Sequence, residues 1–227
     1  MFLNFEKYLI DKIPNEPIFI EVGANKGQWF TEIIKIYPNC KIHAFEPIVG
    51  ITPNINNVII NNCAVDISES SDRIFYITKD DTTSSLLKLD KEVTDNFVDF
   101  IDGKGVEHKK SDFNITKQTR VNTIRLDSYI EKNNISEIHY LKIDAEGNDL
   151  NVFRSLGQFT SKVIACEVEV WNNPKTLFQK ASWIQECSIF METNNFQLVE
   201  KYIHGRGLSS DLLFINTDKV KKGIAKL

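Results

Sequence analysis

Apolar positions recur along this chain with two alternating periods, one near two and one near three and a half. Ile18 to Val22 is a short apolar run interrupted only by Glu21, which predicts a first strand. The run gives way to Gly23-Ala24-Asn25-Lys26-Gly27, where a turn belongs. Trp29, Phe30, Ile33, Ile34 and Tyr37 then follow at three- and four-residue spacing, predicting an amphipathic helix that ends near Pro38 and Asn39. Lys41 to Phe45 reads as a second strand stopped by Glu46-Pro47. This strand-helix-strand unit of about 28 residues is long enough for a right-handed parallel crossover.

Further strands are predicted at Val58 to Val65, Arg73 to Thr78, Arg120 to Leu126, Ile138 to Asp144 and Val163 to Val170. A helix with Leu150, Phe153 and Leu156 on one face is closed by Gly157, and Pro174 to about Asn194 reads as a second helix burying Leu177, Phe178, Ala181, Ile184 and Cys187. Phe196 to Tyr202 and Asp211 to Asn216 end the pattern as strands joined through Gly205-Arg206-Gly207. Strands alternating with helices and finishing in a strand pair predict an α/β sandwich, with a mostly parallel sheet and an antiparallel edge. Residues 79–117 are polar, broken by Gly103 and Gly105, and carry one helical stretch from about Leu86 to Phe100; they read equally as a cap over a site or a surface insertion.

At 227 residues, with 42% hydrophobic and 26% charged positions, the chain suits one globular domain spanning 1–227. A net charge of −4 supplies no field for nucleic acid or an anionic membrane. Two lysine-rich stretches, Lys104/His108/Lys109/Lys110 and Lys219/Lys221/Lys222/Lys226, lack interleaved aromatics and read as solvated, so no nucleic-acid partner is expected. Cys40, Cys63, Cys166 and Cys187 have no C-x-x-C spacing and read as free thiols. Met1 to Tyr8 lacks a signal-peptide pattern, and no apolar run is long enough for a membrane span, so a cytoplasmic protein is expected.

In an open parallel sheet the ligand crevice lies beyond the carboxyl ends of the strands, where strand order reverses, and the first strand marks that point. Gly23 allows a sharp turn there, and Gly27 allows a ligand close to the helix start. The loop is G-x-x-x-G, neither the G-x-G-x-x-G of dinucleotide sites nor a phosphate loop, so it favours a nucleoside without phosphates, of which S-adenosylmethionine is the commonest. Glu46, at the end of the second strand, can accept hydrogen bonds from both hydroxyls of a ribose.

Three segments carry a family resemblance: Glu21-Val22-Gly23-Ala24-Asn25-Lys26-Gly27, Ala44-Phe45-Glu46-Pro47 and Leu141-Lys142-Ile143-Asp144-Ala145-Glu146-Gly147. Ser84-Ser85-Leu86, Thr123-Ile124-Arg125-Leu126-Asp127 and Glu167 to Glu169 add to it. In order and spacing these resemble the signatures of the FkbM-type methyltransferases, from about residue 17 to 216. The resemblance implies a Rossmann-like class I methyltransferase fold with a seven-stranded sheet and an antiparallel C-terminal edge strand. It also implies S-adenosylmethionine-dependent O-methylation of a hydroxyl on a sugar, glycan precursor or related metabolite, often in cell-surface polysaccharide biosynthesis. By position it places Glu21, Gly23, Ala24, Asn25 and Gly27 along the methionine part of the cofactor, Glu46 at the ribose, and Ala64 and Val65 at the adenine edge. Glu21 stands where the family more often has Asp, and Ala145 where it often has Val.

Methyl transfer to a hydroxyl requires alignment and removal of a proton, by a general base, a metal or both. Asp144 and Glu146 lie just past a central strand at the cofactor edge and are the catalytic candidates, Asp144 also as a cofactor contact, with Lys142 on the same side to favour ionised Asp144. The alternative is that Asp144 caps the helix starting near Gly147 and Glu146 complements its dipole. Glu167 and Glu169 share a strand face and, with Asp144, would make an oxygen-rich site for Mg²⁺ or another divalent cation; edge exposure or pairing with a base is the duller account. His108 and His204 sit in loops, where acceptor contact or plain solvation would explain either. The rivals are an NAD-linked oxidoreductase on the same fold, disfavoured by the loop spacing, and a nucleoside-binding relative without turnover.

Overall fold

β1 (Ile18–Val22), β2 (Lys41–Phe45), β3 (Val58–Asn61), β4 (Ile138–Ile143), β5 (Val163–Trp171), β6 (Phe196–Ile203) and β7 (Ser209–Asn216) form one sheet in the order β3-β2-β1-β4-β5-β7-β6. The structure is a computed structural model that describes residues 5–9, 12–48, 50, 55–101 and 105–220. Met1 to Asn4, Gly103, Lys104, Lys221, Lys222 and Lys226, singled out above, lie outside the described residues. All pairings among β1 to β5 are parallel, while β7 runs antiparallel to both β5 and β6. The C-terminal strand is antiparallel as expected, but it lies between β5 and β6, so the edge belongs to β6. Reversing direction after β6, the chain fills the slot beside β5 and completes both ladders at once.

Alternation along the strands sends neighbouring residues to opposite faces. Ile20, Leu141 and Cys166 face a core closed by α2 (Leu126–Lys132), α3 (Asp149–Arg154) and α4 (Ile184–Thr193), the last through Cys187 and Met191. Phe19, Tyr140 and Ala165 face the other way, under Trp29, Phe30 and Ile33 of α1 (Gln28–Ile36), the helix that follows β1. Trp29 stacks on Tyr140 at 5.7 Å between centroids, flooring that face just below the strand ends.

Three predicted elements are shorter or divided. The strand expected over 58–65 ends at Asn61, and Ala64–Val65 pairs instead with Ile115–Ile124 in a small sheet that also holds Ser70–Thr78. Glu46 N–H donates to Asn61 O, and Pro47 has no N–H with which to continue the ladder. The helix expected from Leu86 to Phe100 forms only at Lys91–Asp95, where Asp90 caps it. The helix expected from Pro174 forms only over Ile184–Thr193, because Leu177, Phe178 and Gln179 use their backbone and side chains on residues 88–90.

Among the described residues no helix is long and apolar enough to cross a membrane. All four cysteines are free, and Cys40, Cys166 and Cys187 are buried.

Candidate active site

Strand order reverses at β1, with β2 on one side and β4 on the other, and a cavity of about 320 Å³ opens there at the carboxyl ends of the strands. The β1 loop builds its floor. Gly23 N–H and Ala24 N–H both donate to Phe45 O, folding the loop back onto β2. Gly23 has φ +83°, and a Cβ there would stand 1.8 Å from Asp144 O, so the close approach of the two loops demands glycine. Gly27 also has positive φ, but at the helix N-cap, where a Cβ would strike the Phe30 ring. It is not among the residues that line the cavity, and its place in the structure is the turn into the helix.

Glu46 is 8% exposed and bridges two loops. Its Oε2 accepts from Asn25 N–H at 2.9 Å and its Oε1 from Ile48 N–H at 2.9 Å. Burial raises its pKa, and the two amide bonds oppose that shift. Each oxygen keeps a lone pair for a further donor, as a ribose diol requires.

Glu21, Lys142 and Glu167 form one row across β1, β4 and β5, each glutamate in register with the lysine. Glu21 is 2% exposed, its Oε2 has no hydrogen-bond partner among the described residues, and it lines the cavity. Burial pushes its carboxyl up to about 8, against the pull of Lys142. Lys142 Nζ donates to Asp144 Oδ2 at 2.8 Å. Burial opposes ionisation of Asp144, but Lys142, Glu169 and His204 together outweigh it and hold that carboxyl below its usual range.

Glu146 is driven far the other way, by burial and then by Asp144 and Asp149. Its φ of 49° is left-handed, a conformation costly for a residue with a Cβ, and Ser85 Oγ anchors its carbonyl at 2.7 Å. Asp149, the first residue of α3, folds its side chain back onto the preceding loop, accepting from Ala145 N–H at 2.7 Å and Gly147 N–H at 2.9 Å, and so holds the turn that carries Glu146.

Oxygens of Asp144, Glu146 and Glu169 lie within 4.8 Å of one another. The predicted metal set of Asp144, Glu167 and Glu169 is therefore corrected. Glu167 sits one pleat deeper, opposite Lys142, where Tyr140 OH donates to it and burial raises its carboxyl to about 7.

Glu21, Ala24, Asn25, Glu46, Ala64, Val65, Lys142, Asp144 and Glu146 all line the cavity as named from the sequence, with Gly23. Absent from that reading were Asp81 and Thr82 of the insertion and Asn148, whose side chain donates to Val65 O at 3.2 Å. No spacing marks any of the three, whereas Ser84 and Leu86 belong to a segment that carried the resemblance.

The walls carry Glu21, Glu46, Asp81, Asp144 and Glu146 against one described cation, Lys142, already committed to Asp144. Lys142 pairs with Asp144 and Lys26 with Asp81, and burial holds Glu21 and Glu146 toward their neutral forms, so Glu46 and the Glu21 Oε2 atom are the carboxyl groups open to a ligand's donors. The strand order and the crevice at β1 define a Rossmann-like methyltransferase fold.

Residues 21–210 match the family model described as the methyltransferase FkbM domain, and the chain belongs to that family. Membership implies S-adenosylmethionine as the methyl donor. The crystal structure of a SAM dependent methyltransferase from Aquifex aeolicus resembles this chain at 7% identity and a TM-score of 0.43, covering 95% of this chain and 94% of that one. No curated protein matches the chain.

Proposed function

We propose that this methyltransferase acts on oxygen, methylating a hydroxyl of a sugar, a glycan precursor or a related small metabolite. The observation that carries the cofactor assignment is the buried Glu21 oxygen that lacks a partner in an acid-walled cavity. A buried carboxylate without a donor is costly, and the methionine ammonium would supply the missing donor and charge. Bound there, S-adenosylmethionine provides an electrophilic methyl group on a positively charged sulfur.

In this reading Glu46 holds the ribose, Ala64 and Val65 flank the adenine, and Asp81, Thr82, Ser84 and Leu86 make the insertion a cap. Lys142 keeps Asp144 ionised beside the sulfonium, while Asp144 and Glu146 face the acceptor side. Asp144, Glu146 and Glu169 would be the oxygen donors for a hard divalent cation, and loss of turnover in EDTA with recovery in Mg²⁺ would mark one.

Calorimetric titration with S-adenosylhomocysteine and with NAD tests the cofactor, and binding of NAD alone would overturn it. Incubation with nucleotide sugars and glycan precursors, read by mass spectrometry for the gain of one methyl, tests the acceptor class. Methylation confined to nitrogen would overturn the oxygen assignment.

A further inference from the structure

We propose that His204, held by Asp211, is the base that takes the proton from the acceptor hydroxyl, an inference that rests on the oxygen-methylation reading above. The acids of the cavity do not fill this role well. Asp144 is tied to Lys142 at 2.8 Å, and the carboxyls of Asp144, Glu146 and Glu169 are gathered within 4.8 Å of one another, so each is engaged with its neighbours.

His204 stands at the same edge of the sheet. It follows β6 directly, and its ring folds back over β7, where Nε2 meets Asp211 Oδ2 at 2.7 Å. Asp211 is in register with Glu169, so the histidine lies one strand beyond the cluster of Asp144, Glu146 and Glu169. Once protonated, His204 is close enough to Asp144 for its charge to be felt there. A carboxylate only accepts, so Asp211 selects the tautomer with the proton on Nε2 and leaves Nδ1 as the basic nitrogen. No hydrogen bond to Nδ1 is present among the described residues, and the side chain is 28% exposed. Tyr202 packs edge-on against the ring at 4.7 Å, which fixes its plane.

The turn that carries His204 also offers room for an acceptor. Arg206, at a left-handed φ of 55°, and Leu208 help line a second cavity of about 440 Å³ with Val93, Phe97 and Phe100. His204 does not itself line that cavity, and an acceptor seated against Arg206 and Leu208 would extend its hydroxyl from there to the imidazole. As the acceptor oxygen bonds to the methyl carbon, its O–H bond breaks and the proton passes to Nδ1. The carbon–sulfur bond breaks with its electron pair left on sulfur, which becomes neutral. The products are the methyl ether, S-adenosylhomocysteine and an imidazolium paired with Asp211, which returns its proton to water.

The test uses the full chain with S-adenosylmethionine labelled in its methyl group and a mixture of UDP-glucose, GDP-mannose and a small-molecule cell extract as acceptors. Wild type, His204→Ala, His204→Gln and Asp211→Asn are compared. Loss of a general base is expected to lower turnover by about 10²- to 10⁴-fold in the His204 variants. Calorimetric affinity for S-adenosylhomocysteine should stay unchanged, and added imidazole should restore part of the His204→Ala rate. Asp211→Asn should lower kcat with the KM for S-adenosylmethionine unaltered. Wild-type turnover in His204→Gln, or a His204→Ala loss that imidazole leaves untouched while binding is intact, would overturn the role of His204 and leave the oxygen reading standing. Wild type that binds S-adenosylhomocysteine but labels only nitrogen, or nothing, would overturn the oxygen reading and this proposal with it.

Discussion

Lys142 Nζ lies 2.8 Å from Asp144 Oδ2, two residues along the same side of one strand, and the same lysine is in register with Glu21 and Glu167 on the flanking strands. One buried cation thus serves three carboxyls at the floor of the cavity. Lys142→Met removes the counter-charge and leaves the acids to protonate or repel. Because Asp144 is 39% exposed, the loss is discounted from that of a closed pair to about 2–3 kcal/mol, read as a lower midpoint in chemical denaturation.

Glu21 gives a pH signature. Its folded pKa of about 8 stands above the ordinary value of 4.5, so the folded chain keeps a proton that the unfolded chain releases between those values. Stability therefore falls as pH rises through that window and levels off above about 8. Cofactor binding favours the ionised carboxylate, so affinity for S-adenosylhomocysteine should rise from pH 6 to pH 8, with proton release seen as a buffer-dependent binding enthalpy. Glu21→Gln should flatten both dependences and weaken binding.

Glu46→Ala should cut affinity for S-adenosylhomocysteine by about 10- to 100-fold, the value of one or two hydrogen bonds to a charged group. It also frees the Asn25 and Ile48 amides, so a modest loss of melting temperature should accompany it. Calorimetry and thermal melts separate the two effects.

Gly23→Ala places a methyl group against the Asp144 carbonyl in a backbone conformation that L-residues resist. Several kcal/mol of destabilisation are expected, on the order of 3. Wild-type stability in a thermal melt would show that the β1 and β4 loops can part without cost.

The strands and the β1 loop were legible because their signals are local. Short, nearly continuous apolar runs mark β1, β2, β4 and β5, and a glycine at a forced turn leaves a mark in the sequence that no other residue can replace. Residues 86–90 and 174–183 carry a helical pattern and fold otherwise for the opposite reason. Leu89 and Phe178 have apolar spacing compatible with a helix, yet their backbones bridge to each other across 89 positions of chain.

What the sequence determined by itself was the alternation of strands and helices, the loop after Val22, and the acids Glu21, Glu46 and Asp144 at strand ends, since each follows from spacing within a few residues. Tertiary structure decided which acids meet. Register across β1, β4, β5 and β7 sets Glu167 against Lys142, brings Glu169 to Asp144 and Glu146, and sets Asp211 beside Glu169, and register is a property of paired strands that no single strand encodes.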